Sequence, residues 1–187
     1  MIKVGYQGIE LSNSEMAAMD IVRLLGLGDV EFVPLVASPE VVDALAQGQV
    51  DYGVLAYENN LGGQVIETYE ALASIDYEIV YRYKMPIHHA LFVKDARVAL
   101  GDVEQVVSHE QAIKQCKRYI ATKLPGAEAV ASKDTALSAQ ELKEGVLAPT
   151  AAVICRQVAG ERHNLYLVED NIEDSESITE FLCIKRK

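Results

Sequence analysis

Glu176-Ser177-Ile178-Thr179-Glu180-Phe181-Leu182-Cys183-Ile184 reads as an apolar strand near the end of the chain. Side chains of a strand alternate in direction, so Thr179, Phe181 and Cys183 fall on one face and Ile178, Glu180, Leu182 and Ile184 on the other. This stretch decides the fold because it is a strand left over. Everything before it divides into two series of alternating strand and helix, each complete without it. An unpaired strand at the end of such a chain is expected to return to the first series, which makes two α/β lobes joined by crossing segments.

The first series begins with the strand Ile2–Tyr6. Ser12 and Glu15 follow at capping-box spacing, ahead of a helix carrying Met16, Ala17, Ile21, Leu24 and Leu25 and stopping at Gly26 and Gly28. Strand 30–36 comes next, then a helix opened by Ser38-Pro39 as N-cap and first-turn proline, a strand over 51–56, and a helix over 64–74. The β-prone stretch 77–93, broken by Pro86, is too long for one strand of a small sheet and reads as a passage between lobes. The second series predicts strands over 105–107, 127–131, 145–147 and 165–168, with helices over 109–123, 133–144 and 149–158 between them. The expected lobes are residues 1–76 with 175–187, and residues 77–174. Architecture of this kind places a ligand cleft between the lobes, at the carboxyl ends of strands. The loops to watch are 7–15, 57–64, 108–111, 132–135 and 175–180.

Half of the 187 residues are hydrophobic and about a quarter charged, enough for a sizeable core. The net charge of −11 argues against nucleic acid or an anionic membrane as partner, and no apolar run reaches the length of a membrane span. The chain starts directly on a strand pattern, without a signal segment. Cys116, Cys155 and Cys183 stand singly in apolar surroundings, the pattern of reduced, buried thiols in a cytoplasmic protein.

Several polar groups carry two readings each. Ser108 and Gln111 fit a capping box, and Gln115 follows seven residues after Ser108 on the same expected helix face, giving either a solvated stripe or an anion site at a helix N-terminus. Glu58-Asn59-Asn60-Leu61-Gly62-Gly63 is either a polar turn or a ligand-binding loop at a strand's carboxyl end. His88 and His89 are adjacent on a strand and point to opposite faces, so they do not chelate one ion; no metal site is expected. No P-loop, dinucleotide fingerprint or nucleophile elbow is present.

Taken together and in order, these motifs resemble the prephenate dehydratase family over nearly the whole chain. Gly8, Ser12, Ser14, Ala17 and Ala18 are similar to the opening Gly-Pro-x-Gly-Thr-Phe-Ser-x-x-Ala-Ala motif, with Ile9, Leu11 and Asn13 in place of its proline, second glycine and phenylalanine. Glu58-Asn59-Asn60 resembles Glu-Asn-Ser, Pro86-Ile87-His88-His89 matches Pro-Ile-His-His, and Ser108-His109-Glu110-Gln111-Ala112 with Gln115-Cys116 resembles Ser-His-Pro-Gln-Ala…Gln-Cys. Asn171-Ile172-Glu173-Asp174 precedes Thr179-Glu180-Phe181, which stands where the family has Thr-Arg-Phe.

The resemblance implies a two-lobed α/β fold like that of type II periplasmic binding proteins. It also implies conversion of prephenate, a small dianion, to phenylpyruvate, carbon dioxide and water, chemistry that needs no cofactor and no metal. Thr179 would be the principal catalytic hydroxyl, with Asn59, Ser108 and Gln115 orienting the substrate, and Ser12, Ser14, Glu58, Asn60, Gln111 and Phe181 contacting it. It further implies a cytoplasmic enzyme of phenylalanine biosynthesis, a homodimer, and, because the chain ends six residues after Phe181, no ACT regulatory domain within this polypeptide. Glu180 reverses the motif's charge. At ~6 Å from a unit of substrate charge and an effective dielectric of about 20, it would cost about 3 kcal/mol of binding. That leaves three readings open: an active prephenate dehydratase with Glu180 turned away, an enzyme for arogenate whose ammonium pairs with Glu180, or a non-catalytic two-lobe binding relative.

Overall fold

The computed structural model describes residues 1–187. In chain order the elements are β1 (Ile2–Gln7), α1 (Asn13–Leu25), β2 (Val30–Leu35), α2 (Ser38–Ala46), β3 (Tyr52–Asn59), β4 (Gly63–Gln64), α3 (Ile66–Leu72) and β5 (Tyr77–Pro86). They continue as β6 (Ala90–Val93), β7 (Gln105–His109), α4 (Glu110–Gln115), α5 (Lys117–Lys123), β8 (Glu128–Ser132) and α6 (Thr135–Glu144). The last are β9 (Ala152–Cys155), α7 (Gln157–Arg162), β10 (Tyr166–Glu169) and β11 (Ile178–Arg186). The chain forms two compact units, Met1–Ile87 with Ser177–Lys187, and His88–Glu176. The first crossing falls after Ile87 instead of after residue 76, because β5 pairs with β11 along its length and so belongs to the first unit.

The first unit is a sheet of order β2-β1-β3-β11-β5, with β4 on β3. β1, β2 and β3 are parallel, as short helical crossovers require, and β11 runs antiparallel between β3 and β5. Each sheet face packs on different helices. Phe181 and Cys183 join Val4, Tyr6, Val54 and Met85 against Ala17, Ala18 and Ile21 of α1. Leu182 and Ile184 join Leu55 against Val41, Val42 and Leu45 of α2 and Ala71 and Leu72 of α3. Ser12 caps α1 by accepting from Glu15 N–H, and Gly26 ends it in the left-handed conformation. Ser38 is not the cap of α2 that its sequence suggests. That position is Ala37, and the helix-start amide of Ser38 donates instead to the Glu67 carboxylate of α3.

The second unit is a sheet of order β10-β6-β9-β7-β8, parallel across β9-β7-β8 and antiparallel at β6 and β10. Its central strand β9 lies where a helix over 149–158 is expected, and 145–147 forms no strand. All four residues of β9 are buried, and a short run that is apolar on every side carries no period to separate strand from helix. The expected helix over 109–123 is broken at Cys116 into α4 and α5. Its cap is His109, which accepts from Gln111 N–H, while Ser108 is fully buried in β7.

Gly160 of α7 sits against Phe92 so closely that an added methyl would come within 2.4 Å of the ring. A helical glycine normally gains about 1 kcal/mol on replacement by alanine. Here overpacking outweighs that gain. Gly160→Ala is expected to lower stability by about 2 kcal/mol, read as a lower denaturant midpoint with an unchanged slope.

Candidate active site

In the first unit the polar cluster grows from the carboxyl end of β3. The β3–β11 pairing carries a bulge, with Glu180 opposite Glu58, Phe181 opposite Ala56, and Tyr57 as the extra residue. By strict alternation from Leu55 and Tyr57, Asn59 would face α2 and α3. The bulge shifts the alternation by one, and Asn59 lands opposite Thr179 on the α1 side instead.

There the Asn59 amide nitrogen donates to Thr179 Oγ1 at 2.9 Å, to Ser177 Oγ at 3.0 Å and to the Ile178 carbonyl at 3.2 Å. Its oxygen accepts from the Leu61 and Gly62 amides, both at 2.9 Å. The carboxamide is thereby locked in orientation, and Thr179 Oγ1 acts as an acceptor toward it. The proton of the Thr179 hydroxyl must then point elsewhere. Asn60 clips the same tail: its side-chain oxygen accepts from Ile178 N–H at 2.7 Å, and its N–H donates to the Ile178 carbonyl at 3.0 Å.

The other first-unit candidates have different settings. Ser12 is engaged as the α1 cap, and Ser14 is buried in the first turn of that helix. Phe181, expected as a substrate contact, is 1% exposed and wholly part of the α1-side core. Glu58, also expected to touch substrate, is exposed and lies opposite Glu180, on the face away from Thr179.

The second unit holds a second cluster. Gln115, the last residue of α4, is buried and its Oε1 lies 2.7 Å from His89 Nε2. Glu173 accepts from His89 N–H at 3.0 Å and lies 2.7 Å from His88 Nδ1. Burial raises the Glu173 pKa, but these hydrogen bonds outweigh it and hold the carboxyl below its ordinary value. Ser108 does not share a helix face with Gln111 and Gln115: it is a strand residue whose hydroxyl donates to the Ile154 carbonyl. Gln111 is half-buried at the start of α4. No three His, Cys, Asp or Glu side chains are placed to hold a metal ion.

Sequence reasoning missed Ser177, His89 and Glu173. Ser177 was legible, since it lies two residues before Thr179 and so shares its strand face. A histidine in an otherwise apolar strand-like stretch also signals a buried polar group that must find a partner.

A family model described as prephenate dehydratase matches residues 4–187. The chain belongs to the prephenate dehydratase family. It is 32% identical over 187 residues to arogenate dehydratase/prephenate dehydratase 2 of Arabidopsis thaliana, covering all of this chain but 47% of that protein. The chain thus spans about half the length of the curated relatives it matches. Among solved structures it is similar to the prephenate dehydratase of Arthrobacter aurescens in complex with L-Phe, with a TM-score of 0.88 at 26% identity, covering 100% of this chain and 60% of that one. It is also similar to GqqA, described as a novel type of quorum quenching acylase, with a TM-score of 0.80 at 25% identity, covering 99% and 64%. Likeness of fold alone extends to a periplasmic substrate-binding protein of Coxiella burnetii, with a TM-score of 0.53 at 11% identity over 100% and 85% of the two chains.

Against the motif of the prephenate dehydratase family, the feature that departs most is Glu180. The structure places it on the face opposite Thr179 and pairs it with Arg82, whose Nη1 is 2.9 Å from Glu180 Oε2. Arg82 also lies 5.5 Å from the centre of the Tyr57 ring, which stacks on Tyr69. A half-exposed ion pair of this kind contributes at most about 1 kcal/mol to stability. Its consequence is electrostatic: the reversed charge has a counter-ion beside it.

His89 gives this prephenate dehydratase family member a specific pH response. Burial lowers its pKa below the ordinary 6.5, opposed by the Gln115 bond and by Glu173, with Arg156 and His88 lowering it further. The unfolded chain therefore binds a proton that the folded one refuses. Stability from this group is fully present above about pH 6.5 and is lost as pH falls toward the folded value. The loss should appear as a falling denaturant midpoint between roughly pH 7 and pH 5, with a shallower slope in His89→Gln.

Proposed function

We propose that this protein catalyses the conversion of prephenate to phenylpyruvate, carbon dioxide and water. The observation that carries the reading is the Asn59–Thr179 pair on a family scaffold: a threonine hydroxyl whose lone pair is occupied by a locked amide.

The chemistry needs little more. The bond from ring carbon to the departing carboxylate breaks, and its electron pair becomes a new ring double bond. At the opposite ring carbon the C–O bond breaks, and the hydroxide leaves as water with one proton taken up. Aromatisation supplies the driving force, so the site has to orient the dianion and stabilise charge on the leaving oxygen. Thr179 O–H is the hydrogen-bond donor to that oxygen in this reading, oriented by Asn59, with Ser177 and Asn60 holding the pair in register. Gln115 is a carboxylate-binding amide in this reading. Ser108, tied to a backbone carbonyl, supports the strand that leads into α4.

An amino-bearing substrate such as arogenate would need an anchor for its ammonium. Glu180 does not serve, since it lies on the far face from Thr179 and is already paired with Arg82. The remaining proposals follow from the family: a role in phenylalanine biosynthesis, a cytoplasmic setting and a homodimer. No helix is long and apolar enough to cross a membrane.

Incubating the purified protein with prephenate and following phenylpyruvate tests the reading, and no turnover would overturn it. Thr179→Val removes only the hydroxyl of a buried side chain and should lower kcat at least about 100-fold with little change in fold. Arg82→Ala strips Glu180 of its counter-ion and should raise KM for the dianion a few-fold, an effect that added salt weakens.

A further inference from the structure

Thr68 is a fully buried hydroxyl of α3 that the proposed reaction leaves without a part. Its Oγ1 donates to the Ala56 carbonyl at 2.7 Å, one residue before the extra residue of the β3 bulge, Tyr57. We propose that Thr68 is a positioning residue, which holds this bulge and through it keeps Asn59 opposite Thr179. The functional part of the proposal rests on the prephenate reading above.

A bulge competes with the regular ladder, in which the extra residue is taken up and every later side chain changes face. Asn59 would then turn toward α2 and α3. The choice depends on whether the peptide groups that the bulge disrupts find partners, since a buried carbonyl without one is costly. The start of α3 provides them. Successive carbonyls of a regular strand point to opposite edges. Here those of Ala56 and Tyr57 both meet this one segment, the first at Thr68 Oγ1 and the second at Val65 N–H, 2.9 Å away. Tyr69, the residue after Thr68, stacks its ring on that of Tyr57 with 4.4 Å between centres.

The hydrogen bonds around Ala56 close into a ring through β1, α2 and α3, and each has a direction. Ala56 N–H donates to Gln7 Oε1 at 3.3 Å, and Gln7 Nε2 donates to Glu67 Oε2 at 3.1 Å. The same Glu67 oxygen accepts from Ser38 N–H at 3.3 Å. Ser38 Oγ lies 2.8 Å from Thr68 Oγ1. The single proton of Thr68 is committed to the Ala56 carbonyl, so Ser38 is the donor between the two hydroxyls. Both residues are 0% exposed, and solvent cannot replace either bond. Loss of the Thr68 hydroxyl therefore opens the ring at the bond that reaches the bulge.

The test combines kinetics with a direct readout of the register. Thr68→Val keeps the shape, removes the hydroxyl, and should lower kcat for prephenate about tenfold with little change in KM. Thr68→Ser should recover most of that loss. In a Thr179→Val background Thr68→Val should cost little further. An equal loss in both backgrounds, no loss in either, or no recovery with serine overturns the proposal. By NMR, the Overhauser contact between the Asn59 side-chain amide protons and the Thr179 methyl should be present in the wild type and in Thr68→Ser and missing from Thr68→Val. Its persistence in Thr68→Val overturns the proposal. In the wild type the Thr68 hydroxyl proton should exchange slowly enough with water to be observed, and fast exchange overturns the proposal even if no variant folds. Absence of prephenate turnover in the wild type would instead remove the functional reading alone, while the NMR contacts would still decide whether Thr68 holds Asn59 against Thr179.

Discussion

The antiparallel pairing of β11 between β3 and β5 is the constraint from which the first-unit site follows. One strand, arriving from the end of the chain, supplies Thr179 to the α1 side and Glu180 to the other, and fills both cores with Phe181, Cys183, Leu182 and Ile184. Asn59 reads the position of this strand through three acceptors at once, two side-chain hydroxyls and a carbonyl. A single amide–acceptor bond contributes only about 1 kcal/mol net. What the set provides is geometry, because a carboxamide with both its nitrogen and its oxygen engaged has one orientation left.

The alternation of strand and helix, the return of the tail, and the separation of Thr179 from Glu180 were all legible in the sequence, since each rests on periodicity. What was not legible rests on contacts between distant residues. The central strand Ala152–Cys155 has no polar face to reveal it. Ser108 looked like a helix cap because a Ser-x-x-Gln spacing is the same whether the serine ends a strand or starts a helix, and His109 took the cap. Ser38 looked like a cap because it precedes a proline, yet its hydroxyl lies 2.8 Å from Thr68 Oγ1 and its own N–H donates to Glu67, both on another helix. Family motifs named Asn59, Gln115 and Thr179, but not the groups that orient them.

Electrostatically, the side chains proposed to orient substrate are neutral donors. In a chain with net charge −11, the groups around Thr179 are amides and hydroxyls, and the imidazole beside Gln115 is held neutral by burial. Neutral donors impose direction without attracting stray anions, and they carry no charge to be desolvated. The Arg82–Glu180 pair belongs to the same pattern, since it adds no net charge to its face of the sheet.

The bulge at Tyr57 has a consequence for how kinship in this family can be read from letters alone. Asn59 meets Thr179 only because the strand miscounts by one residue before it. A relative lacking that extra residue could keep glutamate, asparagine and threonine in full and still present the asparagine to the wrong layer of the molecule. Such a chain would spell the motif and have no site.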